Sequence, residues 1–386
     1  MTEQTPPSVG PASAAEQATH WMPDDVAAIE ITRAATAPTI TQADVKRVAP
    51  DLDIWDAWPV QTDDGAPAVL DAGATLWMAL GSPRFPDPDD RHGHARIHLL
   101  ELREGAWRHL GPVMPDGFSP GSREWSGSAV VDDDARTLTL YFTVTGRRDE
   151  ATLTFEQRLF RARANLHGSA GDFRLDNWRD LDEIVERDPA YYMASDEGEG
   201  AVGTIKAFRD PAYFRDPADG RQYLFFAGSR AGAASEFNGV IGAAVAKHDR
   251  SGWDIMPPLV DATGVNNELE RPHVILCDGR YYLFWSTQTH VFDPGGPMGP
   301  TGLYGMVASS LNGPWRLLNG TGLVFANPSE APRQAYSWLV LPDLSVISFI
   351  DDWGVAPADS GPRRFGATFA PLLQLDLRDD WAGLRG

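Results

Sequence analysis

Short apolar runs that end at turn residues recur along the chain from Asp53 onward, and helical periodicity is scarce. Apolar and polar positions alternate and are interrupted by Gly, Asp, Asn and Pro, a pattern that predicts β-strands. Five runs share one form, a turn followed by an aromatic-rich apolar segment, at 76–80, 140–144, 224–228, 283–287 and 347–351. Their first residues are 59 to 84 residues apart. The sequence therefore predicts an all-β chain built from five repeats.

A tryptophan that directly follows a turn is a second repeated feature. Such residues lie downstream of the first four runs, at Trp107, Trp178, Trp253 and Trp315. Four-stranded repeats arranged around a centre form a β-propeller. We therefore predict that residues 21–386 form a single five-bladed β-propeller with a central, funnel-shaped pocket. The alternative is a two-sheet sandwich, which seldom needs so many strands in one unit.

The N-terminal part of the chain has a different composition. Residues 1–20 are rich in Thr, Pro, Ser, Ala and Gln and have no apolar core, which predicts disorder. They also lack the basic and apolar regions of a signal peptide. Between Trp21 and Ala49 we predict a short helix over 24–33 and an extended segment that wraps the outside of the domain.

One polar or aromatic side chain precedes each of the five runs at a similar distance. These residues are Asp56, Trp125, Asp210, Glu270 and Tyr336. If each lies on the first strand of its repeat, all five face the central channel and three carboxylates converge there. Tryptophans flank Asp56, and indole faces pack well against sugar rings. A carboxylate beside such a surface can act on a glycosidic bond as nucleophile or general acid/base.

Alternation along a strand places Glu268 and Glu270 on one face and Arg271 on the other face or at the rim. Like charges held close together raise one pKa, which would let a carboxylic acid protonate a leaving group near neutral pH. Each motif also has a simpler interpretation when taken alone. The tryptophan pair could be buried in a core strand, Arg209-Asp210-Pro211 could be a salt-bridged turn, and the glutamates could lie on a solvated edge.

Composition narrows the possible partners and cofactors. The chain has 33 Lys+Arg against 54 Asp+Glu and a formal net charge of −21, which argues against nucleic acid or anionic membrane as a partner. The single cysteine, Cys277, excludes an intramolecular disulfide and a cysteine-rich metal site. No metal-ligand spacing stands out, so we predict no cofactor and no metal. We interpret His92-Gly93-His94 as an ordinary loop.

Four motifs in sequence order resemble glycoside hydrolase family 68, which comprises levansucrases, inulosucrases and β-fructofuranosidases. They are Trp55-Asp56-x-Trp58-Pro59, Glu124-Trp125-Ser126-Gly127, Phe208-Arg209-Asp210-Pro211 and Glu268-x-Glu270-Arg271-Pro272. Segments 265–273 and 334–337 are similar to the Gram-negative branch. The resemblance covers about residues 52 to 351 and implies a five-bladed propeller that acts on sucrose.

The resemblance also implies a role for each motif residue. Asp56 would be the nucleophile that forms a covalent fructosyl ester, Glu270 the general acid/base and Asp210 the transition-state stabiliser. The fructosyl subsite would be lined by Trp55, Trp125 and Ser126. The glucosyl or acceptor side would be formed by Arg209, Glu268, Arg271, His290 and Tyr336.

The activity implied is that of a bacterial, retaining β-fructosyltransferase that cleaves sucrose, releases glucose and passes fructose to sucrose, fructan or water. The alternatives are a β-fructofuranosidase that mainly hydrolyses sucrose and a sugar-binding propeller without catalysis. Asn267 stands where Gram-positive members have an aspartate calcium ligand, so we expect activity without calcium. Members of this branch are often exported without a classical signal, which implies an extracellular or periplasmic location.

Overall fold

The computed structural model describes residues 18–195, 205–249, 251–355 and 363–385, and strands dominate these ranges. The described residues contain one short α-helix, α1 (Pro23–Ala27), and 3-10 turns at Arg33–Ala35, Gln42–Asp44, Asp71–Gly73, Pro88–His94, Thr289–Val291 and Leu318–Gly320. No helix within the described ranges has the length and apolar character needed to cross a membrane. The all-β prediction is confirmed.

The strands are, in chain order, β1 (Thr19–His20), β2 (Leu52–Gln61), β3 (Thr75–Pro83), β4 (Arg96–Arg103), β5 (Ala106–Pro112), β6 (Arg123–Val131), β7 (Thr137–Thr145), β8 (Gln157–His167), β9 (Arg174–Val185), β10 (Phe208–Arg215), β11 (Gln222–Ser229), β12 (Gly239–Ala246), β13 (Trp253–Ile255), β14 (Val260–Asp261), β15 (Glu270–Cys277), β16 (Arg280–Thr287), β17 (Gly302–Ala308), β18 (Arg316–Leu317), β19 (Leu323–Ala326), β20 (Ala335–Val340), β21 (Ser345–Ile350), β22 (Leu373–Arg378) and β23 (Trp381–Leu384).

Five antiparallel meanders follow one another along the chain: β2–β5, β6–β9, β10–β13, β15–β18 and β20–β23. A parallel pairing of β2 with β6, through Val60 and Ala129, joins the first two meanders into one sheet. The five aromatic runs predicted from sequence fall on the second strands β3, β7, β11, β16 and β21, with only Asp351 lying just past its strand. Their side chains are buried because both faces of these strands are covered.

The first strands of the meanders lie beside one another. β6 contacts β2 and β10, β15 contacts β10 and β20, and β20 also contacts β2. Hydrogen bonds cross between neighbouring meanders at this level. Ser128 Oγ donates to the Pro211 carbonyl at 2.9 Å, and the Val340 amide donates to His273 Nε2 at 2.9 Å. This arrangement brings the polar residues of the first strands into one region.

The N-terminal segment is anchored in the core at a few buried residues. Residues 1–17, where disorder is predicted, lie outside the described residues, but β1 pairs in parallel with β14. Trp21 is 1% exposed and its ring contacts Trp285 with centroids 5.6 Å apart. The helix predicted over 24–33 is only α1, because a single residue of it, Val26, is buried. Burial of the indole fixes this segment in place.

Candidate active site

A β-bulge interrupts every first strand at the same level. The pairing register shifts at Trp55/Trp58, Trp125/Gly127, Arg209/Ala212, Glu270/His273 and Tyr336/Leu339. In four of the five bulges a residue other than glycine has a positive φ: Asp56 at 49°, Asp210 at 62°, Arg271 at 49° and Ser337 at 62°. Bulges re-aim side chains next to functional sites, and such backbone strain clusters there.

The positions of the bulges show that the alignment of the five repeats predicted from sequence is off by one residue in some repeats. Counting back from the aromatic runs placed Asp56, Trp125, Asp210, Glu270 and Tyr336 at one equivalent position. In the structure, Asp56 and Asp210 are equivalent to Ser126, Arg271 and Ser337 in the bulges. Trp125, Glu270 and Tyr336 are instead equivalent to Trp55 and Arg209, one residue earlier. The number of residues between each polar residue and the aromatic run does not reveal this shift, because a bulge adds a residue to one strand of a pair and not to the other.

Asp56 is held by the bulges of neighbouring strands. Ser126 Oγ donates a hydrogen bond to Asp56 Oδ2 at 3.1 Å. Burial raises the pKa of Asp56 above its usual range, and the Glu270 charge adds to this rise. The Arg271 charge and a hydrogen bond from Ser337 act in the opposite direction. The carboxyl group is thus set among donors and a cation that favour its ionised form.

Arg209 joins the other three carboxylates of the site. Its Nη2 lies 2.6 Å from Glu270 Oε1 and 3.7 Å from Glu268 Oε2, and its Nε lies 3.8 Å from Asp210 Oδ2. The arginine is 4% exposed. A buried guanidinium between several carboxylates partly compensates their charge and fixes their relative positions.

Burial raises the pKa of two of these carboxyl groups. The pKa of Asp210 rises to about 7, with the Glu270 and Asp56 charges adding to the desolvation. The pKa of Glu268 rises to about 8, and the Glu270 charge adds to the desolvation. Glu268 precedes β15, whereas Glu270 is the first residue of that strand. Both glutamates nevertheless point at Arg209.

Arg271 is buried and does not lie at the rim, one of the two positions that alternation predicts for it. The residue is 5% exposed, and its guanidinium donates to Ser337 Oγ at 3.0 Å and to the Ala57 carbonyl at 2.7 Å. Its backbone amide donates to Asp210 Oδ2 at 3.3 Å. The rim is thereby excluded, and the positive φ of this bulged residue interrupts the regular alternation along the strand.

The predicted aromatic residues are buried, and one of them carries a donor without a protein partner. Trp55, Trp125 and Tyr336 are 2%, 8% and 6% exposed. The Tyr336 hydroxyl interacts with Glu270 and Gln288, whereas Trp125 Nε1 makes no hydrogen bond within the described part of the chain. Buried donors are rarely left unpaired in native proteins. The Trp125 indole N–H is therefore available to a hydroxylated ligand.

His290 lies at the edge of the cluster. It sits in the 3-10 turn Thr289–Val291 after β16 and is exposed. Burial lowers its pKa, while the charges of Glu270 and Asp351 raise it. The histidine is therefore within electrostatic range of Glu270 yet open to solvent.

Two residues that the motifs did not single out, Arg91 and His92, contact Trp55, although His92 belongs to the segment interpreted above as an ordinary loop. The Arg91 guanidinium lies 5.4 Å from the Trp55 ring centroid, and the His92 ring meets Trp55 edge-on at 6.2 Å. The strand topology could have indicated this contact. Trp55 pairs with Leu80 near the end of β3, so the loop that follows β3 begins close to Trp55 and Asp56.

The described ranges contain no group of three His, Cys, Asp or Glu side chains placed to hold a metal ion.

A model of the levansucrase/invertase family, glycoside hydrolase family 68, matches residues 11–238 and 230–383. The chain belongs to this family. The resemblance inferred from the four motifs is thereby confirmed, and family 68 membership extends over almost the whole chain.

Individual family 68 proteins are similar over nearly their full length. A levansucrase of Pseudomonas syringae pv. actinidiae is 34% identical over 94% of this chain and 89% of its own. The structure of an inulosucrase from Halalkalicoccus jeotgali bound to kestose is 34% identical, with a TM-score of 0.86 over 96% of this chain and 95% of that one. A levansucrase structure from Gluconacetobacter diazotrophicus, at 23% identity and a TM-score of 0.82 over 95% and 90%, shares the fold.

Proposed function

We propose that this family 68 chain cleaves sucrose, releases glucose and transfers the fructosyl group to a sugar hydroxyl, with water as a competing acceptor. The observation that carries the proposal is the cluster of side chains at the bulges. Ser126 donates a hydrogen bond to Asp56, and Arg209 lies between Asp210 and Glu270. Two carboxyl groups that act in concert are the minimum that retaining glycoside hydrolysis needs.

In the first step, an Asp56 oxygen attacks C2 of the fructosyl ring and forms an ester bond. The bond from C2 to the glycosidic oxygen breaks, and Glu270 gives its proton to that oxygen so that glucose leaves. Arg209, 2.6 Å from Glu270, orients the acid. Asp210 supports the positive charge that develops on the ring and accepts hydrogen bonds from fructosyl hydroxyls.

In the second step, an acceptor hydroxyl attacks C2 and Glu270 takes its proton. The ester bond to Asp56 breaks and the anomeric configuration of sucrose is retained. Trp55, Trp125 and Ser126 would line the fructosyl subsite, where the free Trp125 Nε1 can donate to a sugar oxygen. Glu268, Arg271, His290 and Tyr336 would complete the site toward the glucosyl or acceptor side.

We also infer that the five meanders form the blades of one five-bladed β-propeller domain. The contacts between first strands support this arrangement, since β20 contacts β2 as well as β15. The bulges then face a common central pocket that is open at one end. For location, the curated relatives are bacterial levansucrases, and we propose that the chain acts outside the cytoplasm on extracellular sucrose.

Incubation with sucrose tests the function directly. Glucose, fructose and oligosaccharides are measured over time, and the first fructosyl product is examined by NMR. A transferase releases more glucose than fructose, whereas a β-fructofuranosidase, the second candidate, gives equal amounts. We expect excess glucose and a β-fructoside as the first product. An α-fructoside would overturn the double displacement, and no glucose release would overturn the enzymatic proposal.

A further inference from the structure

Lys206 is a buried cation that the proposed chemistry does not use. Lys206 is 8% exposed, whereas Lys247 is about half-exposed. The third lysine of the chain is Lys46. Burying an ammonium group costs several kcal/mol unless it is fully hydrogen-bonded and lies near opposite charge. The surroundings of Lys206 meet both conditions.

Three oxygens surround the ammonium group. Lys206 Nζ donates to Asn267 Oδ1 at 2.7 Å, to Asn238 Oδ1 at 3.0 Å and to the Glu236 carbonyl. An ammonium group has three N–H donors, so each donor has one acceptor. The three acceptors come from two segments: Glu236 and Asn238 precede β12, and Asn267 precedes β15. Burial lowers the pKa of Lys206, and the charges of Glu236 and Glu268 act in the opposite direction and favour the ammonium form.

The same contacts brace the beginnings of two catalytic strands. Asn267 returns a hydrogen bond from Nδ2 to the Ile205 carbonyl at 3.2 Å. Gln157 holds the Lys206 carbonyl at 2.9 Å and the Phe208 amide at 3.0 Å. Segment 205–206 leads into β10, which carries Arg209, while Asn267 leads into β15. The short contact between Arg209 and Glu270 therefore spans two strands whose beginnings are tied together at Lys206.

Charge explains why a cation is needed at this point. Asp56, Asp210, Glu268 and Glu270 lie together with two guanidinium groups, those of Arg209 and Arg271. Lys206 supplies a third positive charge on the side of Glu268. A neutral side chain of the same length would leave three converging oxygens without donors, which is unfavourable for buried polar atoms.

We infer that Lys206 is a positioning residue: its ammonium group ties the segment before β10 to Asn267 and so sets the placement of Glu268 and Glu270 against Arg209. It is a fixed internal cation that belongs to the polypeptide. It does not touch the reacting atoms, and its effect reaches sucrose only through the glutamates. The inference goes beyond the proposed function but is measured with the same substrate.

The test compares Lys206→Met with Lys247→Met, which removes an exposed charge and serves as the matched control. We expect Lys206→Met to lower kcat for glucose release about 10- to 100-fold with KM within about threefold, because a misplaced acid affects the transition state more than binding. Loss of a nearby cation also disfavours ionised carboxylates. Both limbs of its pH profile should therefore move to higher pH. Lys247→Met should match the wild type in both respects.

A folded Lys206→Met protein with kcat within twofold of wild type and unmoved pH limbs would overturn the inference. So would a lowered melting temperature with unchanged kcat and pH limbs, which indicates a purely structural role. If Lys206→Met does not fold, Asn238→Ala removes one of the three oxygens. It should lower kcat several-fold with KM within about threefold, while the pH limbs stay in place because the ammonium group remains. An unchanged kcat for a folded Asn238→Ala protein would then refute the inference. Failure of the wild type and Lys247→Met to cleave sucrose would refute the proposed function instead.

Discussion

Asp210 is a buried carboxyl group whose ionisation lowers the stability of the folded protein. Its pKa of about 7 lies above the ordinary value of 3.8, because burial disfavours the charged form. The stability associated with the neutral carboxyl is fully present below pH 3.8 and is lost as the pH rises through about 7. At neutral and alkaline pH, the folded protein therefore carries a charge that the unfolded chain would accommodate more easily.

Asp210→Asn is neutral at every pH, so we expect it to raise the free energy of unfolding at pH 8 by about 1–4 kcal/mol. The gain should shrink as the pH falls toward 4. Sucrose cleavage should drop at least about 10³-fold, since charge stabilisation is lost. Urea unfolding at several pH values and glucose release provide the two measurements. Asp133→Asn, at an exposed position, should change neither, and a destabilised Asp210→Asn protein at pH 8 would contradict the expectation.

His290 is the residue at which transfer and hydrolysis should separate. Transfer requires a positioned acceptor, whereas water needs no positioning. We expect His290→Ala to keep sucrose cleavage within about threefold of wild type while raising the share of free fructose. Glu270→Ala should lose several orders of magnitude in both, because the acid and the base are one group. The ratio of fructose to glucose checks this.

His167, an exposed residue paired with Asp176 at 3.0 Å, offers a control far along the chain from the catalytic motifs. His167→Ala should leave the product ratio unchanged. If His290→Ala also left the ratio unchanged, the acceptor would have to be held by other residues, and the role proposed for His290 would be wrong.

At the scale of the elements, the bulges determine what could be read from sequence. The five aromatic second strands and the convergence of three carboxylates follow from apolar patterning and spacing. The positions of Arg271 and Ser337 do not, because an added residue with positive φ leaves no hydrophobic signature. Arg91 and His92 were missed because their contact with Trp55 depends on a long-range loop, whereas spacing within a repeat reports only local order.

Gly127 follows the bulge of β6 and tests how tightly that bulge is packed. A Cβ at this position would overlap the Tyr141 carbonyl oxygen on the paired strand β7. We expect Gly127→Ala to destabilise the protein by about 2–4 kcal/mol and to lower kcat/KM, because Ser126 and Trp125 would shift. Denaturant unfolding and sucrose kinetics measure both effects.

Gly252 provides the matched control, since its nearest neighbour to an added Cβ is Lys247 Nζ at 4.0 Å. Gly252→Ala should stay within about 0.5 kcal/mol of the wild type. Equal stability of the two alanine variants would show that β6 can relax around the bulge without cost.

For the molecule as a whole, net charge should govern the response to salt. A formal charge of −21 produces self-repulsion that added ions screen. We expect the melting temperature at pH 8 to rise by a few degrees between about 0.01 M and 1 M NaCl. Near the sequence pI of about 4.7 the net charge vanishes, and so should most of the rise. An equal rise at both pH values would point to salting-out instead.

Metal dependence is a second property of the whole molecule. Asn267 binds the Lys206 ammonium group at 2.7 Å, and a cation already fills the space between these oxygens. We expect activity on sucrose to survive treatment with EDTA and added calcium to have no effect. Loss of activity in EDTA that calcium restores would contradict this expectation.

The docking of the N-terminal segment has a consequence for biosynthesis. β1 pairs with β14, Trp21 packs on Trp285, and the Ile40 amide donates to Gln334 Oε1, 294 residues further along the chain. A ribosome releases these partners long after the segment itself has emerged. Closing such large loops is entropically costly, so the segment docks late in folding. Until then the Trp21 indole is exposed to solvent and accessible to chaperones and proteases. The first described residues to be synthesised are thus among the last to reach their final positions.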